Sequence, residues 1–136
     1  KGGSIFDLDQ PLRSGEFRTY HSGAIRCYHT SYWAINPDGE ARGTAHIRKN
    51  PKFQLVAQGR DFIASQGPGP HHVRILKRGA RTEIEVNGKI SAQWTDDGKT
   101  YGPVWGEGLI GLRQMAQTGE SRYTHFKVWS VKEKAK

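Results

Sequence analysis

Residues 72–94, HVRILKRGARTEIEVNGKISAQW, decide the fold class. The middle of this stretch alternates: Thr82, Ile84 and Val86 point one way, and Arg81, Glu83 and Glu85 the other. A period of two is the signature of a half-buried strand, because successive side chains leave opposite faces of a pleated backbone. Asn87 and Gly88 follow. Both tolerate positive φ, as a two-residue type I′ hairpin turn requires. Residues 72–77 then read as the preceding strand, Arg78 and Gly79 as its turn, and residues 89–94 as the returning partner.

Outward from this hairpin the same grammar repeats. Residues 43–48 and 53–57 read as strands, the second ending at Gly59, with Asn50 and Pro51 breaking the run between them because proline cannot donate to a ladder. Residues 67–70, Gly-Pro-Gly-Pro, form a loop. Residues 109–115 and 123–131 read as the last two strands, with Phe126 and Val128 as core residues of the final one. Short strands at this spacing, 17 Gly and 6 Pro, and no sustained helical period indicate an all-β antiparallel sandwich or jelly roll. Residues 1–131 are read as one such domain and residues 132–136 as a basic tail.

Composition narrows the functional classes. With one cysteine, Cys27, no intrachain disulfide can form. There is no CxxC pair, phosphate-binding loop, GxSxG or HExxH, and no apolar run long enough for a membrane span. No metal site and no cofactor are expected, and no membrane partner. The net charge of +8 favours an anionic partner: acidic polysaccharide, nucleic acid or anionic lipid. The basic residues are scattered and no RNP-like motif occurs, so nucleic acid is disfavoured. The chain starts at Lys1, so compartment is left open, with a bacterial periplasmic or secreted setting preferred over the cytoplasm.

Residues 18–33, RTYHSGAIRCYHTSYW, are the densest chemistry in the chain, with two His, three Tyr, one Trp and two Arg. A strand built only to fill a core would carry Val, Ile and Leu instead. Strand alternation allows only half of these residues to face any one ligand, and it leaves open which half. Tyr20, His21, His29 and Tyr32 are the candidate catalytic groups, since Tyr and His can move protons at a sugar carbon. Arg26, Trp33, His46, Arg48, Asn50, Arg113 and Gln114 are the candidate substrate-binding residues, the arginines suited to bidentate capture of a carboxylate. The ordinary alternative is an aromatic ladder with its histidines satisfied by backbone groups. Glycoside hydrolysis normally needs two carboxylates. Asp96 and Asp97 read as turn residues, and only Glu107 and Glu120 lie near glycine-rich loops.

Four blocks, YHSGAIRCYHTSYW, RKNPKFQLVAQGRDFI, WTDDGKTYGPVWGEGLIGLRQMA and HFKVWSV, resemble the YesU-like bacterial family, whose function is not known. The resemblance implies a concanavalin A-like jelly roll of two curved sheets, with a ligand groove on the concave one. It also implies an association with breakdown of plant or algal polysaccharide, notably rhamnogalacturonan. It carries over no catalytic residue. Family members place the first block after about half a sandwich of earlier strands, whereas here it begins near residue 17. Either the domain is short, or its first strands are missing or come from a second chain. The expectation is therefore a carbohydrate-active domain that binds or cleaves an acidic sugar polymer. In its catalytic form an arginine neutralises a uronate while Tyr or His drives β-elimination. The alternatives are a non-catalytic carbohydrate-binding module, with Trp33, Tyr32, Trp94 and Trp105 stacking on sugar rings, and a hydrolase using Glu107 and Glu120.

Overall fold

A computed structural model describes residues 25–33, 38–67, 69–114 and 121–131. Among them lie six strands and no helix: β1 (Tyr28–Ser31), β2 (Thr44–Lys49), β3 (Gln54–Arg60), β4 (Val73–Arg78), β5 (Arg81–Val86) and β6 (Lys89–Thr95). They form two antiparallel three-stranded sheets in the orders β1-β2-β3 and β4-β5-β6. The expected hairpin is present. Thr82, Ile84 and Val86 are buried, and Asn87 and Gly88 take φ of 50° and 79°. The turn before it falls at Gly79 and Ala80, one residue later than expected, and β3 continues through Gly59 to Arg60.

The two sheets pack face to face, with β6 against β3 and β2. Ala45 and Ile47 from the first sheet meet Ile84 and Ala92 from the second, flanked by Tyr32, Val56, Ala57 and Trp94. Each sheet carries one bulge. Ile47 pairs with Ala57 and Arg48 with Leu55, leaving Val56 extra; Ile84 pairs with Ala92 and Glu85 with Ile90, leaving Ser91 extra. A bulge bends its strand and re-aims its backbone. At Ser91 the carbonyl is turned towards Gly59 so closely that a Cβ there would stand 1.8 Å from the oxygen.

The last two expected strands are not formed among the described residues. Residues 109–114 and 121–131 make no ladder, and Phe126 and Val128, expected in the core, are each 58% exposed. Their sequences have the composition of strands. A strand, however, needs a partner edge to satisfy its backbone N–H and C=O groups, and none of the six strands pairs with them.

Candidate functional site

Strand β2 sorts its side chains by parity. Ala45, Ile47 and Lys49 point into the sandwich, and Thr44, His46 and Arg48 point away from it. The register of β1 sets His29 opposite Arg48 and Ser31 opposite His46, and β3 adds Gln58 beside His46. Arg42, just before β2, donates from Nε and Nη2 to the Thr44 carbonyl (2.9 and 2.7 Å) and from Nη2 to Ser31 Oγ (3.2 Å). His46 contacts Thr44 Oγ1 through Nε2 (3.1 Å) and Arg48 Nη2 through Nδ1 (3.5 Å). Arg48 donates from Nη1 to the Phe53 carbonyl (3.0 Å), and its guanidinium carbon lies 4.4 Å from the centroid of the Phe53 ring. That ring is 5.3 Å from His29. The outer side of the first sheet thus carries a basic cluster with an aromatic centre, in which His46 is buried, at 7% exposure, and His29, Arg48 and Phe53 are half-buried.

Its electrostatics keep both imidazoles neutral. Burial first, then the charges of Arg113, Arg48 and Arg42, lower His29 to about 4. Burial followed by Arg42 and Arg48 also lowers His46, against an opposing hydrogen bond from Gln58. Nδ1 of His29 is buried without a hydrogen-bond partner. The ion pairs among the described residues, Lys49–Asp96, Arg74–Glu85 and Arg81–Glu83, all lie elsewhere.

The depressed His29 has a measurable consequence for stability. Between pH 6.5 and about 4 the unfolded chain takes up a proton that the folded chain refuses. The contribution is therefore fully present above pH 6.5 and is lost as pH falls towards 4. Its size is up to about 3 kcal/mol. Urea titrations at about pH 7 and about pH 4.5 should show this loss in the wild-type protein, and His29→Gln should remove most of it, leaving the smaller share of His46. An unchanged difference in the variant would contradict the assignment.

The inner face of the same sheet holds a second cluster that the sequence did not reveal. Lys49 is 1% exposed. Its Nζ donates to Asp96 Oδ2 (2.6 Å) and to the carbonyls of Gly102 (2.7 Å) and Pro103 (2.8 Å). Tyr28 donates to the same carboxylate oxygen (2.6 Å) and accepts from the Trp105 backbone N–H (3.0 Å). Burial and the Asp96 contact raise Tyr28 to about 12. Trp105 closes the cluster, with its ring centroid 5.1 Å from Nζ and its Nε1 donating to the Asn50 carbonyl (3.0 Å). Every group is satisfied by another, so the cluster holds residues 96–105 against the sheet. The usable signal was parity: Lys49 follows Ala45 and Ile47 on the buried side.

The other candidates fall in several places. Tyr20, His21 and Glu120 lie outside the described residues. Tyr32 packs against the core on the side opposite His29 and is hydrogen-bonded with Tyr123, which together with burial raises its pKa. Trp33 has φ of 48° and donates its backbone N–H to the Asp61 carboxylate. Arg26 is exposed over the Trp105 ring, 5.5 Å away. Asn50 is buried beside Cys27, donating its backbone N–H to the Cys27 carbonyl (3.0 Å) and Nδ2 to Sγ (3.4 Å). Arg113 lies near enough to lower His29, while Gln114 and Glu107 are exposed. Trp94 stands edge-on to Tyr28 (6.0 Å) and Tyr101 (6.3 Å). The structure therefore brings together His29, His46, Arg48 and Arg113 and separates them from Tyr32, Trp33, Asn50 and Arg26. Sequence reasoning overlooked Arg42 and Phe53, which build the same face. No group of His, Cys, Asp and Glu among the described residues is placed to hold a metal ion.

Known proteins share this architecture. A crystal structure from Bacillus subtilis, described as a protein of unknown function with a galectin-like fold, superposes with a TM-score of 0.67 at 33% identity, covering 76% of this chain and 48% of that one. The uncharacterized protein YesU of Bacillus subtilis (strain 168) is 36% identical over 119 residues, 85% of this chain and 54% of YesU. The chain thus spans about half the length of these relatives. The two sheets are those of a galectin-like sandwich, in agreement with the jelly roll expected from the sequence. Residues 1–128 match the domain of unknown function DUF1961, and the chain belongs to that family.

Proposed function

We propose that this protein binds carbohydrate, and that the outer face of the first sheet takes an oligosaccharide carrying carboxylate groups. A galectin-like fold is consistent with carbohydrate binding. The observation that carries the finer reading is the charge on that face. Arg42, Arg48 and Arg113 act together on His29, and no carboxylate among the described residues forms an ion pair with Arg42 or Arg48. A ligand carboxylate adds negative charge beside these guanidiniums, of which Arg42 already feels Asp61, and the half-buried rings of Phe53 and His29 offer apolar surface to a sugar ring.

Binding suits this geometry better than elimination. A catalytic base works best with a pKa near the working pH. His29, lowered to about 4, is unprotonated at neutral pH but weakly basic. Tyr32, another of the candidate groups, lies on the opposite side of the sheet with a raised pKa.

Calorimetry with oligogalacturonides and with neutral galactans of the same length tests the proposal. The charged ligand should bind more tightly, and Arg48→Gln should weaken it by about 10–100-fold, the worth of a charge-assisted contact. Arg74→Gln, on the second sheet, should change nothing. Equal affinity for the neutral polymer, or no effect at Arg48, would refute the assignment. Ultraviolet absorbance from an unsaturated uronate would restore elimination.

A further inference from the structure

His29 and His46 are the members of the basic cluster whose charge can change in the mildly acidic range, since guanidiniums stay protonated there. His29 faces Arg48 across the β1–β2 pair, and both lie against the Phe53 ring, 5.3 Å and 4.4 Å away. His46 sits between Thr44 and Arg48, with Nε2 3.1 Å from Thr44 Oγ1 and Nδ1 3.5 Å from Arg48 Nη2. A guanidinium can only donate. The contact therefore makes Nδ1 of His46 an acceptor and puts the ring hydrogen on Nε2. The neutral imidazole is built into this geometry, because a proton on Nδ1 would face the guanidinium nitrogen.

The charges around the two rings come from several elements. Arg42 precedes β2, Arg48 lies on it, and Arg113 acts on His29 from residues 109–114. β3 supplies the neutral Gln58 beside His46, and Arg60 opposite Thr44. Asp61 opposes this charge at Arg42. Cys27 and Tyr32, which flank β1, keep their protons, raised chiefly by burial. Burial first, and then the arginines, lower His46 and take His29 to about 4.

A carboxylate seated on Arg48 changes these conditions. It sets an opposite charge beside the imidazoles, and an opposite charge within about 4–6 Å moves a pKa by about 1 to 3. It also engages the Arg48 nitrogens, which releases Nδ1 of His46 to take a proton. Most of the burial cost is already present before a ligand arrives, since His46 is 7% exposed and His29 half-buried.

We infer that the site binds its carboxylate ligand together with a proton, taken by His29 first and His46 second, so that affinity rises as the solution becomes mildly acidic. The inference rests on the carboxylate-binding reading above and adds its regulation by pH. By linkage, the factor by which the carboxylate favours the proton is the factor by which the proton favours the carboxylate. A carboxyl group of ordinary acidity is still mostly ionised at about pH 5, so the ligand keeps its charge where the imidazoles gain theirs.

Calorimetry with an oligogalacturonide at about pH 5, in two buffers of different ionisation enthalpy, counts the protons taken up on binding. Salt at about 0.15 M screens the general charge of the protein. Uptake should be about half a proton, and affinity should be about threefold or more greater at pH 5 than at about pH 7.5. His29→Gln should remove most of the uptake and lower the ratio of the two affinities, whatever it does to binding at pH 7.5. His72→Gln, at an exposed position outside the cluster, should leave both as they are. Binding without proton uptake, binding with proton release, or uptake that survives His29→Gln or vanishes in His72→Gln would overturn the inference and leave the carboxylate reading standing. No binding of the oligogalacturonide at either pH would overturn both.

Discussion

Lys49→Met will destabilise the protein by about 3–5 kcal/mol, a large part of the total stability of an ordinary domain. The wild-type ammonium is 1% exposed and meets three oxygens, one of them the fully buried Asp96 carboxylate. Methionine fills a similar volume but leaves that carboxylate without its cation, and it leaves the Gly102 and Pro103 carbonyls without a donor. Tyr28 and the Gly98 N–H (2.9 Å) still contact Asp96, but neither brings a positive charge. Urea unfolding at neutral pH measures the loss. Lys49→Met combined with Asp96→Asn should recover part of it, because the orphaned charge is then gone. Lys89→Met, at an exposed position, should change stability by less than about 0.5 kcal/mol. A comparably small effect at Lys49 would show that the buried cluster does not hold the sheets together.

Gly59→Ala is expected to cost about 3 kcal/mol or more, for a reason of space rather than charge. The new Cβ would stand 1.8 Å from the Ser91 carbonyl oxygen, 2.9 Å from its carbon and 3.4 Å from Ala92 Cα. All three are backbone atoms, so no rotamer change relieves the clash. β3 and β6 must move apart, and the small core between them, built on Ala45, Ile47, Ile84 and Ala92, loosens with them. Gly79→Ala separates this from backbone strain. Gly79 has φ of 54° with nothing within 4 Å of an added Cβ, so its cost should be only the left-handed penalty of about 1–2 kcal/mol. A midpoint shift at Gly59 no larger than that at Gly79 would mean that the sheets have slack at their closest approach.

Both variants bear on how far the sequence could be read. Gly59 reads in the sequence as the end of a strand, although it lies inside β3, because a glycine needed for close backbone approach looks the same as one needed for a turn. Lys49 gives no sign of burial in the sequence beyond its parity, since a lysine is rarely buried unless paired. Its partner Asp96 is distant in sequence and reads there only as a turn residue, a role it also fills by accepting from Gly98. Alternation puts His46 and Arg48 on the same side of a strand, and it limits the residue 18–33 block to half its members on any one face; both are legible in the sequence. The assignment of His29 to the arginine side and Tyr32 to the core side came from the pairing of β1 with β2.

Local chemistry by itself determined the class of the fold. A period of two, a turn pair able to take positive φ and a proline that interrupts a ladder act over a few residues, and they specified β2, β4, β5 and β6 within one residue and β3 except for its last three residues. Tertiary structure alone decided which apolar runs became strands and which side of each strand carries function. Residues 109–114 and 121–131 have strand composition but no ladder here, because hydrogen-bond partners and covering side chains come from other parts of a fold. The same dependence on distant neighbours buries Lys49 beneath Trp105 and leaves Arg48 one residue away on the outer face.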